Sequence, residues 1–231
     1  MELLTRGCKA LNIDLSAETA LKFERYYEAV IDYNRSVNLT AITDRTEFII
    51  KHFLDSLTAA QYIPENASLA DIGSGAGFPA IPLKLVRQDV SVTMMDALGK
   101  RVSFLQGQID ALGLKNASAL HIRAEDAAKG PLRESFDVVT ARAVARLNTL
   151  AEYALPLVKP GGIFIAYKGG DCDEEQYAAR ALELLKGRIA QSVKLNLPFS
   201  GDGRTLVIIE KTAPTPLKYP RGGGKERKNP L

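Results

Sequence analysis

Behind Ser16, a side chain able to cap a helix, the apolar residues Leu21, Phe23, Tyr26, Tyr27, Val30 and Ile31 recur at roughly helical spacing. Residues 34–43 (NRSVNLTAIT) are polar and read as a loop. Asp44 can cap a second helix, predicted over residues 45–62, with Phe48, Ile49, Phe53, Leu54 and Leu57 on one side. From residue 68 the pattern changes to short apolar runs alternating with helical ones. Strands are predicted over 69–72, 90–95, 117–122, 136–140 and 162–167, and helices over 81–87, 100–112, 124–128 and 146–158. This alternation predicts a mostly parallel sheet with right-handed crossovers. A longer helix over 174–189 then leads to two strands, 191–197 and 205–211, around the turn-rich PFSGDG. The expectation is a seven-stranded α/β sheet ending in an antiparallel hairpin.

Composition changes this picture little. The chain has 231 residues, 46% of them apolar and 25% charged, enough for one large α/β domain and an appendage. The expected organisation is an N-terminal helical segment (1–65), a main domain (66–213) and a basic tail (214–231). Cys8 and Cys172 lie far apart without a C-x-x-C spacing, which fits a reducing compartment and predicts no metal site. The absence of a long apolar run or a signal-peptide pattern predicts a soluble, cytoplasmic protein, and a monomer is expected. Net charge is only +3, but residues 214–231 hold five cations against one anion. Such a tail is either a phosphate-contacting segment or a solvated end.

Candidate chemistry begins where the first strand ends, in LADIGSGAGFPAIP. Asp71 is followed by Gly73, Gly75 and Gly77, with Ser74 and Ala76 between them and Phe78 after. Glycine permits positive φ and lets backbone N–H groups approach a ligand. A dinucleotide loop reads G-x-G-x-x-G/A. Here the third glycine is early and Phe78 takes the sixth position. Asp71 also points a carboxylate at the site, which suits an ammonium better than a pyrophosphate. The loop therefore favours S-adenosylmethionine over a nicotinamide dinucleotide. Asp96, closing the second strand, can accept from both ribose hydroxyls of an adenosine, which fits either cofactor. At the third strand's end, beside Ala124, Glu125 or Asp126 can accept from an adenine amino group.

These motifs, with D-x-x-x-K-R-x-x-F-L from Asp96, R-A-E-D, A-R-A-V-A, N-L-T (Asn38 to Thr40), H-F-L-D-S-L, K-P-G-G and the terminal P-R-G-G-G-K, resemble the bacterial 16S ribosomal RNA guanine-N7 methyltransferases. That family is also called glucose-inhibited division protein B, and the likeness covers nearly the whole chain. It implies a Rossmann-like class I S-adenosylmethionine-dependent methyltransferase fold with a helical extension. It implies methyl transfer to N7 of the 527-type guanine near the decoding site, with the 30S subunit as partner. Gly73, Phe78, Ala124, Glu125 and Arg142 match cofactor-contact positions. Asp96 matches the ribose-binding acid, as Asp where many relatives carry Glu. Lys100 and Arg101 match a pair beside the pocket.

Guanine N7 has a free lone pair at neutral pH, so alignment and exclusion of water can carry the reaction without a general base. Arg142 then has two open roles, donating to guanine O6 or pairing with the cofactor carboxylate or a phosphate. His52, Asp55 and Ser56 share one helix, which denies them the geometry of a hydrolytic triad. They read as a hydrogen-bonded cluster joining the N-terminal helices to the core, bordering the pocket with Asn38 and Thr40. Phosphate contacts are expected from Arg35, Arg45, Lys100, Arg101, Lys168, Arg221, Lys225 and Lys228. The rival readings are a nicotinamide-dependent oxidoreductase, opposed by Asp71 and Phe78, and a non-catalytic RNA-binding assembly factor on the same scaffold.

Overall fold

The computed structural model describes residues 1–142, 145–170 and 173–231. Ala143 and Val144 of the A-R-A-V-A motif, Asp171, and the thiol of Cys172 lie outside the described residues. The chain opens with helices α1 (Glu2–Ala10) and α2 (Ala17–Asn34). Ser16 caps α2, its hydroxyl accepting from Thr19 N–H at 3.1 Å. Asp44 likewise caps α3 (Arg45–Phe48), accepting from Glu47 N–H at 2.9 Å.

The helix predicted over 45–62 is interrupted. After α3 comes a π-helical stretch, Ile49–Leu54, then α4 (Asp55–Leu57) and a 3₁₀ turn, Ala60–Tyr62. A π-turn widens the helix and re-aims side chains. Here it accompanies a tertiary hydrogen bond, in which the Lys51 carbonyl accepts from Arg142 at 2.9 Å.

The strands are β1 (Ser68–Ile72), β2 (Ser91–Asp96), β3 (Ala117–His121), β4 (Phe136–Arg142), β5 (Val158–Gly169), β6 (Gly187–Asn196) and β7 (Gly203–Lys211). They form a seven-stranded sheet in the order β3-β2-β1-β4-β5-β7-β6. β1 to β5 pair in parallel, and β7 runs antiparallel to both β5 and β6. Between them lie α5 (Ala80–Val86), α6 (Gly99–Leu112), α7 (Ala124–Ala127), α8 (Leu147–Ala154) and α9 (Glu175–Leu185). The strand order reverses at β1, which has β2 on one side and β4 on the other; ligands of open α/β sheets bind at such a switch point.

Two predicted helices run too long. The helix predicted to 158 stops at Ala154, because Pro156 has no N–H to carry the ladder on, and the Leu155 carbonyl accepts from the buried ammonium of Lys211 at 2.6 Å. The helix predicted to 189 stops at Leu185, where Lys186 adopts φ 64° and Gly187 starts β6. A Cβ on Gly187 would lie 2.7 Å from the Leu155 side chain.

Period-two alternation assigns the sheet's two faces. Leu69, Val92, Met94, Val138 and Ile165 face α1, α2 and the π-helical stretch, sharing a core with Leu4, Phe23, Tyr26, Phe53 and Leu54. Ala70, Ile72, Val139, Phe164 and Val207 face α8 and α9. The N-terminal helices therefore cover one face of the sheet, and Tyr219 of the tail joins the core of the other.

Candidate active site

The glycine loop is fixed to the end of β2. Gly73 and Ser74 N–H both donate to the Met95 carbonyl, at 2.8 and 3.1 Å. Gly73, Gly75 and Gly77 have φ of 68°, 60° and 102°, which L side chains rarely adopt. At Gly77 the packing adds a second demand: a Cβ would lie 2.5 Å from Ile81 and 2.9 Å from the Tyr26 hydroxyl. That hydroxyl donates to the Ala76 carbonyl at 2.6 Å and ties α2 to the loop.

Asp96 sits at the floor of the site, 4% exposed. Gly75 N–H donates to its Oδ2 and Leu98 N–H to its Oδ1, each at 2.9 Å. Each oxygen keeps a further lone pair, so the carboxylate is both held and able to accept. A cleft of about 460 Å³ opens above it, bounded by Gly73, Asp96, Leu98, Arg101, Ile122, Ala124, Glu125 and Arg142, with Tyr153, Gly224 and Arg227. This size suits a small organic ligand, and its walls mix apolar and hydrogen-bonding groups. Arg101 lies 3.6 Å from Asp96, and its Nε is buried without a partner.

Several predicted contacts stand behind the cleft wall. Asp71 does not line it. Its carboxylate is buried, Oδ1 accepting from the Thr140 hydroxyl at 2.8 Å and Oδ2 left without a partner. Burial pushes this carboxyl up to about 7. Ser74 is also buried and donates to the Asp71 carbonyl at 3.0 Å. Gly75 serves through its N–H to Asp96, and Gly77 through packing. Phe78 is packed away from the nucleoside cleft. The His52 ring stacks on it (centroids 4.5 Å apart, planes 9° apart), and the Arg142 guanidinium lies 5.1 Å from its centre.

Arg142 lines the cleft but is engaged by the N-terminal helices. Its Nη1 donates to the Lys51 carbonyl at 2.9 Å and to Asp55 Oδ2 at 3.1 Å, and its Nη2 donates to His52 Nδ1 at 3.0 Å. A guanidinium only donates, so Nδ1 is the acceptor and Nε2–H donates to the Thr40 hydroxyl at 2.7 Å. Burial, then the neighbouring Arg142 charge, lowers the His52 pKa to about 3 and keeps the ring neutral. Asp55 Oδ1 accepts from Arg204 Nε at 3.1 Å. Ser56 donates to the His52 carbonyl, and its own carbonyl accepts from Tyr167 at 2.7 Å.

The expected phosphate contacts divide. Lys100 is exposed, and its carbonyl accepts from Tyr33 at 3.1 Å. Lys225 and Lys228 are exposed on α10 (Lys225–Lys228). Lys168 is a correction: its side chain is 9% exposed, and its ammonium donates to Glu174 at 2.7 Å and to the Ala145 carbonyl at 2.8 Å. Arg221 is a second correction, paired with the buried carboxylate of Glu152 at 2.7 Å. Asn38 is exposed, and the loop is instead held by Asn34, whose Oδ1 accepts from Leu39 and Thr40 N–H at 2.8 and 3.0 Å. Asn34, Arg204 and Arg227 were not singled out from sequence. An Asn ending a helix before a polar loop is a legible signal for the first only.

The strand order, the antiparallel β7 and a nucleoside-sized cleft under a glycine loop define a Rossmann-like methyltransferase scaffold. Two solved structures share that fold. A SAM dependent methyltransferase from Aquifex aeolicus aligns at TM-score 0.55 and 19% identity over 74% of this chain and 96% of that one. M. jannaschii TYW2 in complex with AdoMet aligns at TM-score 0.54 and 15% identity over 68% and 74%. Residues 19–200 match the family model described as rRNA small subunit methyltransferase G, and the chain belongs to that family. A Ribosomal RNA small subunit methyltransferase G from Desulforamulus reducens is 48% identical over 99% of this chain and 97% of its own length. One from Pelotomaculum thermopropionicum is 45% identical over 100% and 98%. Among the described residues, no helix is long and apolar enough to cross a membrane.

Proposed function

We propose that this chain transfers the methyl group of S-adenosylmethionine to N7 of a guanine in 16S ribosomal RNA, the 527-type guanine of the 30S subunit. The observation that carries this reading is Asp96, a carboxylate fixed by two backbone N–H groups at the floor of a cleft beneath the glycine loop. Its free lone pairs suit a ribose diol. The cleft has room for a nucleoside, and Glu125 on its wall can accept from an adenine amino group. S-adenosylmethionine supplies an electrophilic methyl on a cationic sulfur.

The residues of this chain do the aligning. The attacking N7 lone pair needs no base, and His52 is neutral with both ring nitrogens engaged, so it moves no proton. Arg142 keeps Nε–H and one Nη2–H beyond its three bonds to protein. Guanine O6, next to N7, is the acceptor those donors suit. Its guanidinium is held in place beforehand, which favours alignment in the transition state. Exposed Lys100, Lys225 and Lys228 supply cations for RNA phosphates near the same end of the sheet.

The deciding experiment incubates the protein with labelled S-adenosylmethionine and unmodified 30S subunits, then maps the label. Label at one guanine, released by treatment that cleaves at N7-methylguanine, supports the reading. Absence of label, or label on another atom, overturns it.

A further inference from the structure

One wall of the cleft comes from near the chain's C-terminus. Gly224 and Arg227 line it together with Glu125 and Tyr153, and Tyr153 lies near both Glu125 and Arg227. Four features anchor this segment to the body of the protein. Arg221 grips the fully buried carboxylate of Glu152 through Nε and Nη2, at 2.9 and 2.7 Å, and its backbone N–H adds a bond at 2.9 Å. Arg133 donates to the Tyr219 carbonyl at 2.8 Å and the Thr215 carbonyl at 2.6 Å. Gly222, Gly223 and Gly224, with φ of 76°, 67° and 75°, turn the chain back toward the cleft. Glu226 is buried, its carboxylate accepting from Gly222 N–H and its carbonyl from the Thr149 hydroxyl at 3.1 Å. The basic excess of the tail is therefore not a loose phosphate-seeking arm. Arg221 and Glu226 are consumed internally, while Lys225, Arg227 and Lys228 stay exposed, Arg227 at the mouth of the cleft beside Tyr153.

We propose that residues 219–228 are a built part of the cofactor site, with Arg227 a binding residue at the adenine end of S-adenosylmethionine. This rests on reading the cleft as the cofactor site. A guanidinium is planar, permanently charged and weakly hydrated, and it pairs well with the face of an aromatic ring. Glu125 on the same wall offers the acceptor for the adenine amino group, so the two residues define one purine-binding edge. Tyr153 borders both charges: burial chiefly raises its pKa, Glu125 raises it further and Arg227 opposes them.

The test is calorimetric titration of the full-length protein with S-adenosylhomocysteine, alongside filter binding to 16S ribosomal RNA. Arg227 is exposed, so Arg227→Ala removes little packing. It is expected to raise the S-adenosylhomocysteine Kd about fivefold or more, with RNA affinity changed less than about twofold. In the unsubstituted protein, S-adenosylhomocysteine is expected to slow tryptic cleavage after Lys225 and Arg227. Asp96→Ala is the companion variant. If Asp96→Ala weakens S-adenosylhomocysteine binding while Arg227→Ala does not, the role given to the tail is overturned and the cleft reading stands. If neither variant weakens it, the cleft reading falls and the proposal with it. A loss of RNA affinity alone in Arg227→Ala returns the tail to phosphate contact and also overturns the proposal.

Discussion

Arg142, at the end of β4, donates through Nη2 to Nδ1 of His52 at 3.0 Å, joining residues 90 positions apart in the chain. The bond links the parallel sheet to the π-helical stretch of the N-terminal segment. It also aligns two groups on Phe78, the residue that ends the glycine loop: His52 stacks on the ring, and the Arg142 guanidinium lies 5.1 Å from its centre. The loop, the strand end and the N-terminal helices thus meet at one aromatic ring.

Arg142→Ala removes the donors proposed for the guanine and one of the two cationic partners of Asp55 together. Methyl transfer to 30S subunits is expected to fall by about 10²-fold, the scale of losing a positioning contact. S-adenosylhomocysteine affinity, measured by calorimetry, is expected to change far less. A variant that binds the product poorly but transfers normally at saturating cofactor would assign Arg142 to the cofactor carboxylate instead.

Arg204 is expected to act through Arg142. Its Nε donates to Asp55 Oδ1 while Arg142 donates to Oδ2, so the one carboxylate, 4% exposed, is shared by two cations. Arg204→Ala leaves half of that carboxylate unmatched, at a cost of about 1–3 kcal/mol by urea denaturation. It is expected to lower kcat more than it raises KM for RNA, because Arg142 loses its counterweight without losing substrate contact. Arg204→Lys restores one donor and is expected to recover part of the loss; no recovery would point to packing alone.

Lys168 discriminates between surface charge and structure. Its ammonium is enclosed by Glu174 and the Ala145 carbonyl. Lys168→Ala is therefore expected to lower thermal stability while leaving the salt dependence of RNA binding unchanged. A lysine that neutralised a phosphate would instead reduce the slope of log K against log salt by about one.

The sheet was legible because its signals are local. Strand alternation, turn glycines and the Ser16 and Asp44 caps each act within a few residues, and all seven strands fall near their predicted positions. The meeting of Asp96 with the glycine loop was equally legible, since the two follow the ends of adjacent parallel strands. What escaped depends on distant partners. The π-helical stretch lies where Arg142, 91 residues away, bonds to Lys51, and no local pattern announces it. Arg221 reads as a free cation until Glu152, 69 residues away, is placed beside it. Lys168 reads the same way until the Ala145 carbonyl, 23 residues away, and Glu174 close on its ammonium. Charge counts locate basic residues; only the fold tells which of them are already neutralised.

The last prediction concerns two buried groups whose titrations oppose each other. His52 has its pKa lowered from 6.5 to about 3, mainly by burial. Between those values the unfolded chain holds the extra proton, so this group makes stability rise with pH; its contribution is full above 6.5 and is lost as pH falls through 3. Asp71 has its pKa raised from 3.8 to about 7, also mainly by burial. There the folded chain holds the extra proton, so its contribution is full below 3.8 and is lost as pH rises through 7. The windows overlap almost completely, and the two slopes offset each other in the unsubstituted protein. Asp71→Asn keeps the acceptor for the Thr140 hydroxyl and removes the titration. Its stability without cofactor, by urea denaturation between about pH 4 and pH 7.5, is expected to climb more steeply with pH than that of the unsubstituted protein. His52→Gln removes the opposite slope, and its curve is expected to fall over the same range. The slopes, not the absolute stabilities, carry the result, because each substitution also shifts the whole curve by a pH-independent amount. Three parallel curves would mean that neither group is held away from its ordinary pKa.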